Sequence, residues 1–203
     1  ALFDENVKSD FLRKHCLASA AVMEAIAVGT TPGTPITALG FLLGDRTLVA
    51  GDAAGRVSTW QVVPPPQGGD RRLTRVYDFK PHAGPVVAIS ASKRDKGFVT
   101  ADATGQLHLN YATSGQTLLS PKGPGGDLRA VVFTPKTDGI VSVDGRGVWS
   151  QWDVDNPHPE ITLKTVFGKV WYEGYSKPEY VWQSTGGTDD FEAKFSLTPL
   201  IYG

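Results

Sequence analysis

Residues 36–62 read ITALGFLLGDRTLVAGDAAGRVSTWQV, and this stretch decides the fold. Apolar side chains stand at Ile36, Ala38, Leu39 and Phe41, and again at Leu48, Val49 and Ala50. Gly51-Asp52-Ala53-Ala54-Gly55 then breaks the run, and Val57 and Trp60 close the unit. Short alternating apolar stretches punctuated by Gly and Asp predict antiparallel strands joined by tight turns. The unit returns twice. Asp52-Ala53-Ala54-Gly55 recurs as Asp102-Ala103-Thr104-Gly105 and as Asp144-Gly145-Arg146-Gly147, with spacings of 50 residues (52 to 102) and 42 residues (102 to 144). Five residues beyond the last Gly of each turn stand Trp60, Asn110 and Trp152. Ahead of the turns stand Ile36/Ala38, Val86/Ala88 and Leu128/Ala130. A repeat of about 40–50 residues built on a Gly turn with a terminal Trp predicts an all-β chain of propeller-type blades.

Strands are expected near residues 36–42, 46–51, 56–63, 73–79, 86–91, 96–101, 106–111, 128–134, 138–143 and 148–153, with Ile161–Phe167 (ITLKTVF) as a further outer strand. Three blades do not close a ring, because propellers use at least about four. The array is therefore expected to be an incomplete propeller, completed by residues that precede it in a longer chain or by neighbouring molecules. Residues 1–35 stand outside the repeat. Leu12, Cys16, Ser19, Met23 and Ile26 are spaced as on a helix that Asp10 could cap, and an outer strand through His15–Val28 is the rival reading. Residues 36–168 hold the blades. Residues 169–203 form a third, non-repeat segment whose Trp171, Tyr172, Tyr175, Tyr180 and Trp182 are closely grouped.

Composition narrows the function. The 203 residues carry a net charge of −1, which gives no electrostatic footing for nucleic acid or an anionic surface. With 23 Gly and 14 Pro the chain favours short strands and turns. The single Cys16 excludes an internal disulfide and leaves the compartment open. No run of eighteen apolar residues occurs.

The motifs read as structure before chemistry. Asp52, Asp102 and Asp144 precede Gly55, Gly105 and Gly147 at the spacing of an Asp that accepts from turn amides while Gly takes a positive φ. Trp60 and Trp152 are expected to pack within their blades. His82, in HAGPV, sits at a turn and is expected to form a hydrogen bond within the blade rather than to act as base or ligand. His15, His108 and His158 have no metal spacing. Asp189, Asp190 and Glu192 read as a solvated loop rather than a cation site. Gly123–Gly126 and Gly186-Gly187 are weak candidates for anion nests. No nucleophile elbow, zinc-protease helix or phosphate loop is present, so neither catalytic residue, cofactor nor metal is expected.

The repeats resemble WD-type propeller blades, with His82 at the place of the WD turn histidine. They depart from that pattern in carrying Ala54, Thr104 and Arg146 where an Asp precedes the turn Gly, and Asn110 where Trp belongs. The C-terminal passage Tyr180–Glu192 (YVWQSTGGTDDFE), followed by Lys194–Gly203 (KFSLTPLIYG), resembles phosphate-type ABC transporter permeases. The resemblance covers about Pro35 to Gly203. It implies a periplasmic domain cut from a bacterial inner-membrane permease, inserted after its first membrane helix and leading back into the bilayer. The five aromatics would then lie near the membrane interface or pack on the blades, with the chain beyond Gly186 mobile. On this reading the domain is a non-enzymatic interaction module for the periplasmic phosphate-binding protein or another transporter subunit. A phosphate-sensing domain, a stand-alone propeller scaffold and an exported hydrolase are the rivals.

Overall fold

The computed structural model describes residues 33–69, 71–121, 123, 126–155, 158–183 and 192–202. The chain divides into two compact units, Ala1–Pro35 and Ile36–Gly203. The helix or strand expected in residues 1–29, Asp189, Asp190 and the Gly186-Gly187 pair lie outside the described residues.

In the second unit β1 (Ile36–Phe41), β2 (Thr47–Asp52), β3 (Val57–Val63) and β4 (Arg72–Asp78) pair in that order as one four-stranded sheet. β5 (Val86–Ala91), β6 (Gly97–Asp102), β7 (Leu107–Tyr111) and β8 (Gln116–Leu119) form a second. β9 (Leu128–Phe133), β10 (Gly139–Asp144) and β11 (Trp149–Asp153) form a three-stranded third, with β11 at its edge. All pairings are antiparallel. The repeat extends to irregularities: the first strand pair of each blade shifts register at one equivalent place, at Ile36/Ala38, at Val86/Ala88 and at Val143/Asp144 opposite Leu128. An extra residue there twists the strand locally.

The apolar cores fill the seams between successive blades. Leu42, Val49, Val57, Val86 and Phe98 close the first seam. Val99, Leu107, Leu128, Val131 and Ile140 close the second. Each such side chain contributes about 1.5–3 kcal/mol when fully buried. The middle blade is covered on both faces, which is why β6 and β7 lack an exposed position. The first seam is tight: a Cβ on Gly51 would stand 2.5 Å from Val86 Cγ1.

Two sequence expectations are corrected. Ile161–Phe167 is not an outer strand. Leu163–Phe167 is a short helix, α1, because Thr162 and Thr165 form a reciprocal cap: Thr165 N donates to Thr162 Oγ1 (3.1 Å) and Thr162 N to Thr165 Oγ1 (2.8 Å). That box outweighs the β propensity of the branched residues. The third blade therefore has three strands among the described residues. The second correction concerns the distal tail. Residues beyond the undescribed stretch are tied into the body: β12 (Trp182–Gln183) pairs with β13 (Lys194–Phe195), and Ser196 N donates to Val181 O (3.0 Å). Thr198–Tyr202 forms a last short helix, α2. No helix among the described residues is long and apolar enough to cross a membrane.

Candidate functional site: turns, rim and open face of the blades

Each Asp turn repeats one geometry. Asp52 Oδ1 accepts from Ala54 N and Arg56 N (2.9 and 3.0 Å), and Asp102 Oδ1 from Thr104 N and Gln106 N (both 2.9 Å). Asp144 Oδ1 does the same with Arg146 N and Val148 N (2.9 and 2.8 Å). Gly55, Gly105 and Gly147 close these turns at φ of 81°, 93° and 80°, a region that glycine enters without steric cost. All three carboxylates are thus occupied by their own turns. Burial works to raise the Asp102 pKa, but amide and hydroxyl donors from Gln106, Thr104 and Gly84 hold it below the usual value.

The second blade adds a buried polar chain. His82 Nε2 lies 2.8 Å from Thr100 Oγ1, which accepts from Asn110 Nδ2 (3.2 Å). Asn110 Oδ1 in turn accepts from Thr117 Oγ1 (2.7 Å). Asn110 thereby does what an indole N–H would do from the same strand position. The Thr100 hydrogen is free to go to His82 Nε2, which puts the imidazole proton on Nδ1, facing Asp102 Oδ2 at 3.5 Å. His82 also stacks on His108 with ring centroids 3.9 Å apart. Burial, reinforced by His108, lowers the His82 pKa to about 4 against the pull of Asp102. Burial likewise lowers that of His108, whose Nδ1 lies 3.1 Å from Lys80 O. In the first blade Ala50 stands where Thr100 does, and Trp60 Nε1 donates to Ser58 Oγ instead (2.9 Å). Trp60 is buried, whereas Trp152 is half-buried against the second core.

The aromatic segment straps the first two blades together. Trp171 N donates to Tyr77 Oη (2.7 Å) and Trp171 Nε1 to Tyr175 O (2.7 Å). Tyr172 is buried completely, its pKa pushed up to about 12 by burial. Glu173 accepts from Thr47 Oγ1 on the first blade (2.6 Å) and from Lys96 Nζ on the second (2.8 Å), and Lys96 also donates to Leu43 O (2.7 Å). Glu192 accepts from Thr113 Oγ1 (2.6 Å) and Glu173 N (2.7 Å), with its pKa raised by burial. Tyr180 and Trp182 stay exposed, at 41 % and 42 %. Sequence reading missed Lys96, Glu173 and Glu192 as partners, because 77 and 19 residues separate the bonded pairs.

Trp149 was also missed. On the third blade Phe133, Ile140 and Trp152 turn toward the second seam, while Val132, Val141, Val143 and Trp149 share the opposite face by register. Val132 is 52 % exposed and Trp149 66 %. The signal was the position of Trp149 three residues before Trp152, which puts the two indoles on opposite faces. No group of three or more metal-ligating side chains occurs among the described residues.

No protein-family model and no curated protein matches the sequence. Among solved structures, a chain of a crystallised mitotic checkpoint complex superposes with a TM-score of 0.51 at 14 % identity, over 61 % of this chain and 35 % of that one. At that identity the likeness speaks to fold alone, and the fold is WD40-like and all-β. This chain spans about a third of the length of its structural counterpart.

Proposed function

We propose that this chain is the periplasmic domain of the permease subunit of a phosphate-type ABC transporter, and that its blades are a non-catalytic docking module. The link to the permease rests on the resemblance of Tyr180–Gly203 described above. The docking role is carried by one observation, the open apolar face of the third blade, where Val132 and Trp149 stand in solvent beside β11, an edge that no other described strand pairs. An exposed apolar sheet face beside an unpaired strand edge is a surface that a partner covers. The phosphate-binding protein that delivers solute to such a permease, or a second transporter subunit, is the partner we assign to it. Immobilised chain should capture the purified phosphate-binding protein, and Trp149→Glu should weaken capture at least about tenfold, since a buried Trp anchor commonly carries more than that. Failure to capture either the binding protein or a transporter subunit, or capture indifferent to Trp149→Glu, would overturn the reading.

A further inference from the structure

A second apolar surface lies away from the third blade, on the strap and the two short helices. Leu197 N donates to Val166 O (2.9 Å) and Thr198 Oγ1 to Phe167 O (3.3 Å), which seats the start of α2 on the end of α1. Leu163 and Phe167, one helical turn apart on α1, are 81 % and 54 % exposed. Leu200 and Ile201 on α2 are 58 % and 62 % exposed. Trp182 continues the surface through the β12–β13 pair, where its ring meets Phe195 at 6.4 Å. Beside it, the Lys169 ammonium lies 5.5 Å from the Tyr180 ring centroid.

The chemistry of this surface selects its occupant. Residues 161–172 and 193–203, which supply α1, α2, Lys169 and Phe195, contain three lysines and no Asp or Glu. Lys164 turns its amine inward to Ser114 O and Lys194 to Gln183 Oε1, so Lys169 is the exposed cation of these stretches. A protein-docking patch carries a polar rim with hydrogen-bonding groups. Aliphatic side chains joined to Trp, Tyr and Lys, with the one neighbouring carboxylate, Glu179, facing Lys177 at 3.9 Å, suit the boundary between lipid headgroups and acyl chains. We propose that α1, α2 and the β12–β13 pair form a foot that lies on a lipid bilayer, with Leu163, Phe167, Leu200 and Ile201 entering the headgroup region. This deepens the permease reading, on which it rests for the presence of a bilayer.

Sedimentation of the 203-residue chain with phosphatidylcholine vesicles, and with vesicles containing about 30 % phosphatidylglycerol, tests it. The chain should pellet with both, because apolar burial and not net charge drives the contact. Leu163→Glu/Phe167→Glu should reduce pelleting about tenfold or more, through the lost apolar burial. Both side chains are exposed and bury little on folding, so the circular dichroism spectrum should be unchanged. Ile201→Glu, on the other helix, should weaken pelleting in the same direction. Absence of wild-type pelleting, variants that pellet like wild type, or a solution dimer that the double variant dissolves would each overturn the proposal. Loss of vesicle binding with Trp149-dependent capture intact would sink the foot alone, and the reverse pattern would sink the docking reading alone.

Discussion

Protonating His82 would place a charge in a buried site, 3.9 Å from the centroid of a second buried imidazole. The folded state therefore holds His82 neutral, with its pKa lowered from 6.5 to about 4, and the unfolded chain takes up the proton first. The stability this confers is complete above pH 6.5 and is lost as pH falls from there toward 4. The loss should reach roughly 2–3 kcal/mol in denaturant titrations followed across that range. His108→Phe, which removes the second imidazole but leaves His82 buried, should lessen the pH dependence without removing it. Gly55→Ala belongs to the same scale: φ is 81° and the added Cβ would meet His82 O at 2.5 Å, so a loss of about 2 kcal/mol or more is expected in the unfolding midpoint. The Asp turns were legible in the sequence because Asp and Gly do their work within five residues. The stacking of His82 on His108 was not, because it depends on a turn between blades meeting a strand 26 residues later.

Strand positions could be read closely because each is bounded by its own Gly or Asp punctuation, and because alternation distinguishes one face from the other. β8 escaped the expected strand ranges: Gln116–Leu119 is only four residues long, too short for alternation to mark it as a strand. ITLKTVF misled for a different reason. Its branched residues fit a pleated strand, and the Thr162–Thr165 pair, satisfying two backbone donors at the N-terminal end, tips it to helix. Thr162→Ala should accordingly cost about 1 kcal/mol and raise amide exchange in residues 163–167.

At the scale of the whole molecule the strap decides how the blades hold together. Lys96 neutralises one carboxylate in a site that also holds Glu192, and both partners of the Lys96–Glu173 pair are almost wholly buried. Lys96→Met should cost about 3–5 kcal/mol by stranding Glu173, whereas Lys96→Met/Glu173→Leu should recover much of that loss. Burial raises the Glu192 pKa, so the folded state prefers its protonated form. Its contribution is fully present below the unfolded value of 4.5 and is lost as pH rises through the raised folded value. Glu192→Gln should abolish this component, read as pH-independent protection factors at Ser196 and Leu197, whose amides bond Val181 O and Val166 O. The sequence showed that an aromatic segment followed the blades. It could not show where that segment lay, because its anchors are single side chains on two different sheets.

The strap also has a mechanical consequence. Glu173 holds Thr47 on one blade and Lys96 on the next, while Trp171 holds Tyr77. Tension reaching the strap would meet these bonds side by side, because they leave Trp171 and Glu173, two residues apart, for the first two blades. Bonds loaded in parallel give way at a higher force than bonds peeled in turn. A pull on α2 that survives the short β12–β13 pair should therefore swing the first two blades as one lever before any blade strand is stripped from its sheet.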